Sequence, residues 1–220
     1  MRYALLNEQR IEAQPKLRGI CPGCRNEVSA KCGVHKIWHW AHLKSASCDP
    51  WWEPETQWHR DWKNRFLLEC QEVQLVDRAT MERHIADVRT PAGLVIEFQR
   101  STITSEEVDA REKFYQKMVW VIDGTKNDND PVYFKLGRTK VGEDGFVNFS
   151  VIGRSKLFHR WHRHKPVFID FGIEGFWRIA NFDPKIKKGI AILVNRDGFA
   201  KHAASGTTDF SNGGGPANAV

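Results

Sequence analysis

The apolar residues between His84 and Ser101 fall into two groups, Ile85 and Val88, then Val95, Ile96 and Phe98. Together they read as two short strands around a tight turn. Pro91-Ala92-Gly93 suits a three-residue hairpin loop, with Gly93 supplying the left-handed residue that such a loop requires. This register sets position 90 against 94, and therefore Asp87 against Glu97. Gln99 then shares a face with Glu97, because side chains alternate along a strand.

Upstream, Trp58, Trp62 and Phe66 recur every four residues and predict a helix from Glu55 to about Gln71, with Pro54 suited to its first turn. Glu55, His59 and Lys63 share that spacing as a separate polar stripe. The stripe is either a solvated face held by i,i+4 pairs, or Glu55 and His59 point into the cleft of Asp87. Downstream, Thr104-Ser-Glu-Glu107 is a capping box that opens a second helix running to about Met118. VWVID, Val119 to Asp123, follows as a buried strand. Strand, helix, strand in this order implies a right-handed crossover to a parallel neighbour. The expected fold is therefore α/β, a mixed sheet flanked by helices.

After a polar linker, KNDNDP, the segments PVYFKL, FVNFSVI, PVFIDFG, GFWRIANF and GIAILVN predict further strands or buried segments. Between them GRSKLFHRWHRHK concentrates Arg154, Lys156, Arg160, Arg163 and Lys165 beside Phe158 and Trp161. Basic residues interleaved with aromatics suit a nucleic-acid surface, although an amphipathic helix with solvated cations fits equally. From about Ala203 the composition is that of a disordered linker.

The formal charge of +6 favours a polyanionic partner. Two acids converging from adjacent strands beside a polar amide make a hard-cation site with room for a substrate oxygen. The plain alternative is a surface hairpin with two solvated carboxylates. No apolar run approaches the roughly 20 residues needed to cross a bilayer, and the N-terminus lacks a secretory pattern, so the expected setting is cytoplasmic, away from membranes.

Five cysteines in that setting point to metal binding rather than disulfides. Cys21-Pro-Gly-Cys24 has the spacing at which two thiolates hold one tetrahedral zinc. His42 and Cys48 are the favoured return pair, with His39 or Cys32 as alternatives. About 40 residues bury too little apolar surface to fold unaided, so the zinc would be structural.

The ordered motifs CPGC, HWAH, ETQWH, IADV, EFQRS and REKFY, over about residues 15 to 124, resemble the competence protein CoiA-like nuclease family. The resemblance implies a zinc-ribbon-like module over 1–50 and a restriction-endonuclease-like PD-(D/E)XK core over 51–125. A β-rich extension with the basic segment would follow over 126–202, then a tail over 203–220. It implies metal-dependent hydrolysis of DNA, with Mg²⁺ or Mn²⁺ on Asp87 and Glu97, and Glu55 and His59 completing the site. Gln99 stands where such nucleases usually carry lysine; it can hydrogen-bond but carries no charge. Lys63, Arg111, Arg160 and Arg163 would contact the nucleic acid. Two rivals are a DNA-binding module that has lost turnover and a zinc-stabilised scaffold for proteins of DNA uptake or recombination.

Overall fold

The computed structural model describes residues 1–43, 48–161 and 165–207. The chain divides into two units, Met1–Arg89 and Thr90–Val220.

The first unit opens with β1 (Tyr3–Leu6), β2 (Gln9–Glu12), β3 (Arg18–Ile20), β4 (Glu27–Lys31) and β5 (His39–His42). They form an antiparallel sheet in the order β2-β1-β3-β4-β5. Its small core is Ala4, Ala13, Cys21, Val28 and Trp40. Of the two tryptophans in KIWHWAH, Trp40 is buried and its indole N–H donates to the Ile11 carbonyl at 3.0 Å, whereas Trp38 is exposed.

The first helix, α1, spans only Gln57–Lys63 and not the run to Gln71 that four-residue spacing predicts. Thr56 and His59 form a reciprocal capping box that fixes its start. Its end tightens through Phe66 N donating to Lys63 O at 3.0 Å, and a short 3-10 turn, Leu68–Cys70, follows. Gln71–Val76 is a strand, β6, which begins where the expected helix would end. It pairs antiparallel with β7 (Arg83–Arg89), and a strand partner overrides local helical spacing.

The second unit begins with the turn predicted around Gly93. Thr90 N donates to Leu94 O at 2.9 Å, Gly93 N donates to Thr90 O at 2.9 Å, and Gly93 has φ 81. Next come β8 (Val95–Gln99), α2 (Ser105–Tyr115) and β9 (Met118–Asp123), with β8 and β9 parallel as expected. Thr104 Oγ1 accepts from Glu107 N at 3.2 Å, so α2 is capped where the sequence indicates. All five residues of β8 and all six of β9 are buried, the mark of strands covered on both faces.

The chain continues through α3 (Asn129–Gly137), β10 (Phe146–Ser150), α4 (Leu157–Arg160), β11 (Val167–Asp170), β12 (Phe176–Asp183), β13 (Lys188–Val194) and α5 (Arg196–Ala204). The strand order within this unit is β10-β13-β12-β11-β9-β8. Helix α3 takes in the last three residues of the polar linker together with PVYFKL, which the sequence suggested as a strand or buried segment. Phe134 is its one buried residue, packed among Phe149, Phe158, Phe171 and Trp177, a one-sided burial that suits a helix. Helix α5 takes in Ala203 and Ala204, two residues that read as tail; 208–220 lie outside the described residues. Among the described residues, no helix is long and apolar enough to cross a membrane.

Candidate functional site

Cys21, Cys24, His42 and Cys48 come together with their ligand atoms all within 4.8 Å of one another. Cys24 Sγ lies 3.2 Å from His42 Nε2, and Cys21 Sγ lies 3.6 Å from Cys48 Sγ. Strand β5 delivers His42 at its end, and the Cys21–Cys24 knuckle closes through Arg25 N donating to Cys21 O at 3.0 Å. A Cβ on Gly23 would stand 3.3 Å from Cys48 Sγ and 3.1 Å from Ile85, so the knuckle leaves little room there for anything larger. Hydrogen bonding from Cys48 lowers the Cys21 thiol to about 5, against the opposing effect of burial, while the same bond pushes Cys48 up. Three sulfurs and an imidazole at this spacing form a soft, tetrahedral-type donor set that could hold a metal such as zinc. His39 and Cys32, the alternatives considered from sequence, lie outside the set.

A second cluster in the same unit centres on Lys63 at the end of α1. The side chain is buried, and its ammonium lies 3.0 Å from Asp87 Oδ1, 3.2 Å from Glu72 Oε1 and 3.3 Å from Glu55 Oε1. Burial alone would lower the Lys63 pKa; Asp87, Glu72 and Glu55 together drive it well above the ordinary lysine value. Lys63, which the sequence marked only as part of the polar stripe and as a nucleic-acid contact, thus bridges Glu55 and Asp87.

Glu72 is the member that sequence reasoning missed. Its strand pairs Gln71 with Val88 and Val73 with Ala86, which sets Glu72 across from Asp87. Glu72 has φ 46, left-handed for a non-glycine residue in a strand. Such strain persists only where surrounding contacts enforce it. Here Glu72 accepts from Arg2 N at 2.9 Å and Tyr3 N at 3.2 Å, besides Lys63. Burial raises the Glu72 pKa, but the Lys63 ammonium and these amides prevail and hold it at about 2.

His59 points elsewhere. Its Nε2 meets Glu53 Oε1 at 2.6 Å and its Nδ1 meets Thr56 Oγ1 at 2.9 Å, so both ring nitrogens fix the start of α1. A further link joins the metal-type knuckle to β7: Asp49, next to Cys48, accepts from Ile85 N at 2.7 Å and meets His84 Nδ1 at 2.8 Å. Trp51 stacks on His84 with ring centroids 3.2 Å apart.

In the second unit Glu97 and Gln99 lie on β8, both buried. Glu97 Oε2 accepts from Arg111 at 3.1 Å, and Arg111 also pairs with Glu107 at 2.5 Å. Burial works against the Arg111 charge, but Glu97 and Glu107 raise its pKa. The Gln99 amide donates to Ser101 Oγ at 2.8 Å. Lys63 and Arg111, read from sequence as nucleic-acid contacts, are thus both buried among carboxylates. Arg160 is half-buried at the end of α4, and Arg163 lies outside the described residues. Phe158 and Trp161 face inward instead of offering stacking surfaces: Phe158 packs on Phe149 and Phe182, and Trp161 packs on Trp120.

Residues 5–50, which include all three sulfur ligands and His42, match the family model described as competence protein CoiA, N-terminal domain. Over this segment the chain is similar to CoiA. It is 33% identical over 66 residues to competence protein CoiA of Bacillus subtilis (strain 168). That match covers 30% of this chain and 18% of the relative's length. No solved structure matches the CoiA-like chain.

Proposed function

We propose that this CoiA-like protein is a metal-dependent nuclease that hydrolyses phosphodiester bonds of DNA in competence. The observation that carries the reading is the gathering of Glu55, Glu72 and Asp87 around one buried ammonium. Three carboxylates against a single lysine leave an excess of negative charge in a place shielded from water. Glu55 Oε2 is buried with no hydrogen-bond partner, and the nearest guanidinium, Arg60, is 3.7 Å away. Hard oxygen donors with unspent negative charge fit a divalent cation such as Mg²⁺ or Mn²⁺.

Asp87 and Glu97 are the acids we assign to that cation, with Glu55, which shares the Lys63 ammonium with Asp87, beside them. The cation would lower the pKa of a bound water and neutralise charge on the scissile phosphate. Lys63 fixes a positive charge beside Asp87, which compensates for the neutral Gln99 in the place where a lysine is usual. Gln99 orients water or a phosphate oxygen through its amide. His59 holds α1, and with it Lys63, in position. Cys21, Cys24, His42 and Cys48 hold a structural zinc. The basic segment around Arg160 and Arg163 grips the DNA backbone.

Supercoiled and single-stranded DNA incubated with Mg²⁺ or Mn²⁺ provides the test. Cleavage should fall by at least about a hundredfold for Asp87→Asn and for Glu97→Gln, with DNA affinity retained. Full cleavage by either variant would refute the assignment. A non-catalytic DNA-binding module is the second reading, favoured by the buried Gln99 amide and its bond to Ser101. Binding without any metal-stimulated cleavage by the unaltered chain would select it.

A further inference from the structure

A cavity of about 740 Å³ in the second unit lies between the start of α2 and the segment leading into α4. Thr104, Ser105 and Glu106 line one wall; Arg154, Lys156 and Arg160 line another, with His159 and Lys187. Among the described residues, four permanent cations thus face a space lined by a single acid, Glu106. Elsewhere in this unit Arg100, Arg111, Lys135 and Arg196 each have a carboxylate partner. The side chains of Arg154, Lys156, Arg160 and Lys187 have no carboxylate within 4.0 Å among the described residues. His159 Nδ1 is buried and also without a hydrogen-bond partner.

The fold explains why these cations converge. Phe158 and Trp161 are driven into the core, which leaves the charged residues of the same segment on the outer side. The turn carrying Lys187 is tied alongside, with Val151 N donating to Lys187 O at 2.9 Å and Lys187 itself held at φ 55. Helix α2, eleven residues long, adds the partial positive charge of its N-terminus.

We propose that this cavity is a phosphate-anchoring site for the backbone of a nucleic-acid strand, bound through phosphodiester oxygens and not through bases. Phe158 and Trp161 are turned inward and do not offer stacking faces, so recognition here is electrostatic and blind to sequence. The inference rests on the nucleic-acid reading above, but it needs no divalent metal, and the two can be separated. Binding of a labelled single-stranded oligonucleotide to the whole chain is measured with no Mg²⁺ or Mn²⁺ added, from about 50 to about 200 mM salt. Arg154→Gln/Lys187→Gln should weaken binding roughly tenfold at the lower salt and reduce the slope of log K against log salt by about 1.4. Both side chains are exposed, and an unchanged melting curve confirms that the fold is intact. Lys113→Gln/Lys201→Gln, also exposed, should leave affinity unaltered.

Equal affinity and slope for the Arg154/Lys187 variant and the unaltered chain would overturn the proposal. So would an equal loss in the Lys113/Lys201 control. Saturable binding of inorganic phosphate that an oligonucleotide cannot displace would also overturn it, by assigning the cavity to a free anion. A chain that binds DNA here yet never cuts it would defeat the nuclease reading and leave this site standing.

Discussion

Lys63 Nζ and Asp87 Oδ1 meet at 3.0 Å with the lysine 4% exposed, so this ion pair is made largely out of reach of water. Its attraction is weakly screened, and so is the repulsion among the acids that share the same ammonium.

Removing the ammonium should therefore be costly. Lys63→Met leaves Glu55, Glu72 and Asp87 facing one another without a counter-charge, and breaking a buried pair in this way costs about 3–5 kcal/mol. Urea denaturation of the variant measures the loss. An unchanged midpoint would mean that the three acids do not depend on Lys63.

Glu72 sets an acid limit. Its pKa is depressed to about 2 from the ordinary 4.5, so its contribution is complete above 4.5 and drains away as pH falls toward 2. The shift corresponds to about 3 kcal/mol. Stability measured across that window should drop in the unaltered protein and stay flatter in Glu72→Gln. Parallel pH profiles for the two proteins would exclude this origin of acid sensitivity.

Stripping metal from the cysteine cluster should loosen the first unit. A loss of a few kcal/mol would lower its Tm by roughly 10–20 °C, with Cys24→Ser mimicking the chelator. Cys32→Ser, outside the cluster, should retain both the metal and the melting temperature. Metal content by mass spectrometry alongside calorimetry decides this, and equal zinc in Cys24→Ser and the unaltered chain would dismiss the ligand set.

The turn at Gly93 offers a backbone test. With φ 81, Gly93→Ala forces a side chain into the left-handed region and should destabilise by about 1 kcal/mol. Amide exchange at Leu94, hydrogen-bonded to Thr90 Oγ1 at 3.1 Å, should quicken in the variant.

What was readable in the sequence is what short-range chemistry dictates. The spacing of Cys21 and Cys24, the Thr104 cap and the Gly93 turn each rest on a few neighbouring residues, and each is found in the structure. The errors arose where distant contacts decide. The spacing of Trp58, Trp62 and Phe66 predicts a helix to about Gln71, yet α1 ends at Lys63 and Gln71–Val76 pairs with β7. Glu72 gave no local sign of its role, because Lys63 and the amides of Arg2 and Tyr3 reach it only after chain closure. Phe158 and Trp161 sit in a run of basic residues that reads as surface, and only the aromatic packing beneath reveals which side of the segment faces in.

Cys48 and Asp49 are consecutive, yet one completes the sulfur cluster while the other grips β7 at His84 and Ile85. Whatever displaces the first must tug the second, and with it Ile85, two residues before Asp87. Zinc occupancy would then act as a tensioner on the acidic strand, and a metal-starved molecule would lose alignment of its carboxylates before it lost its shape.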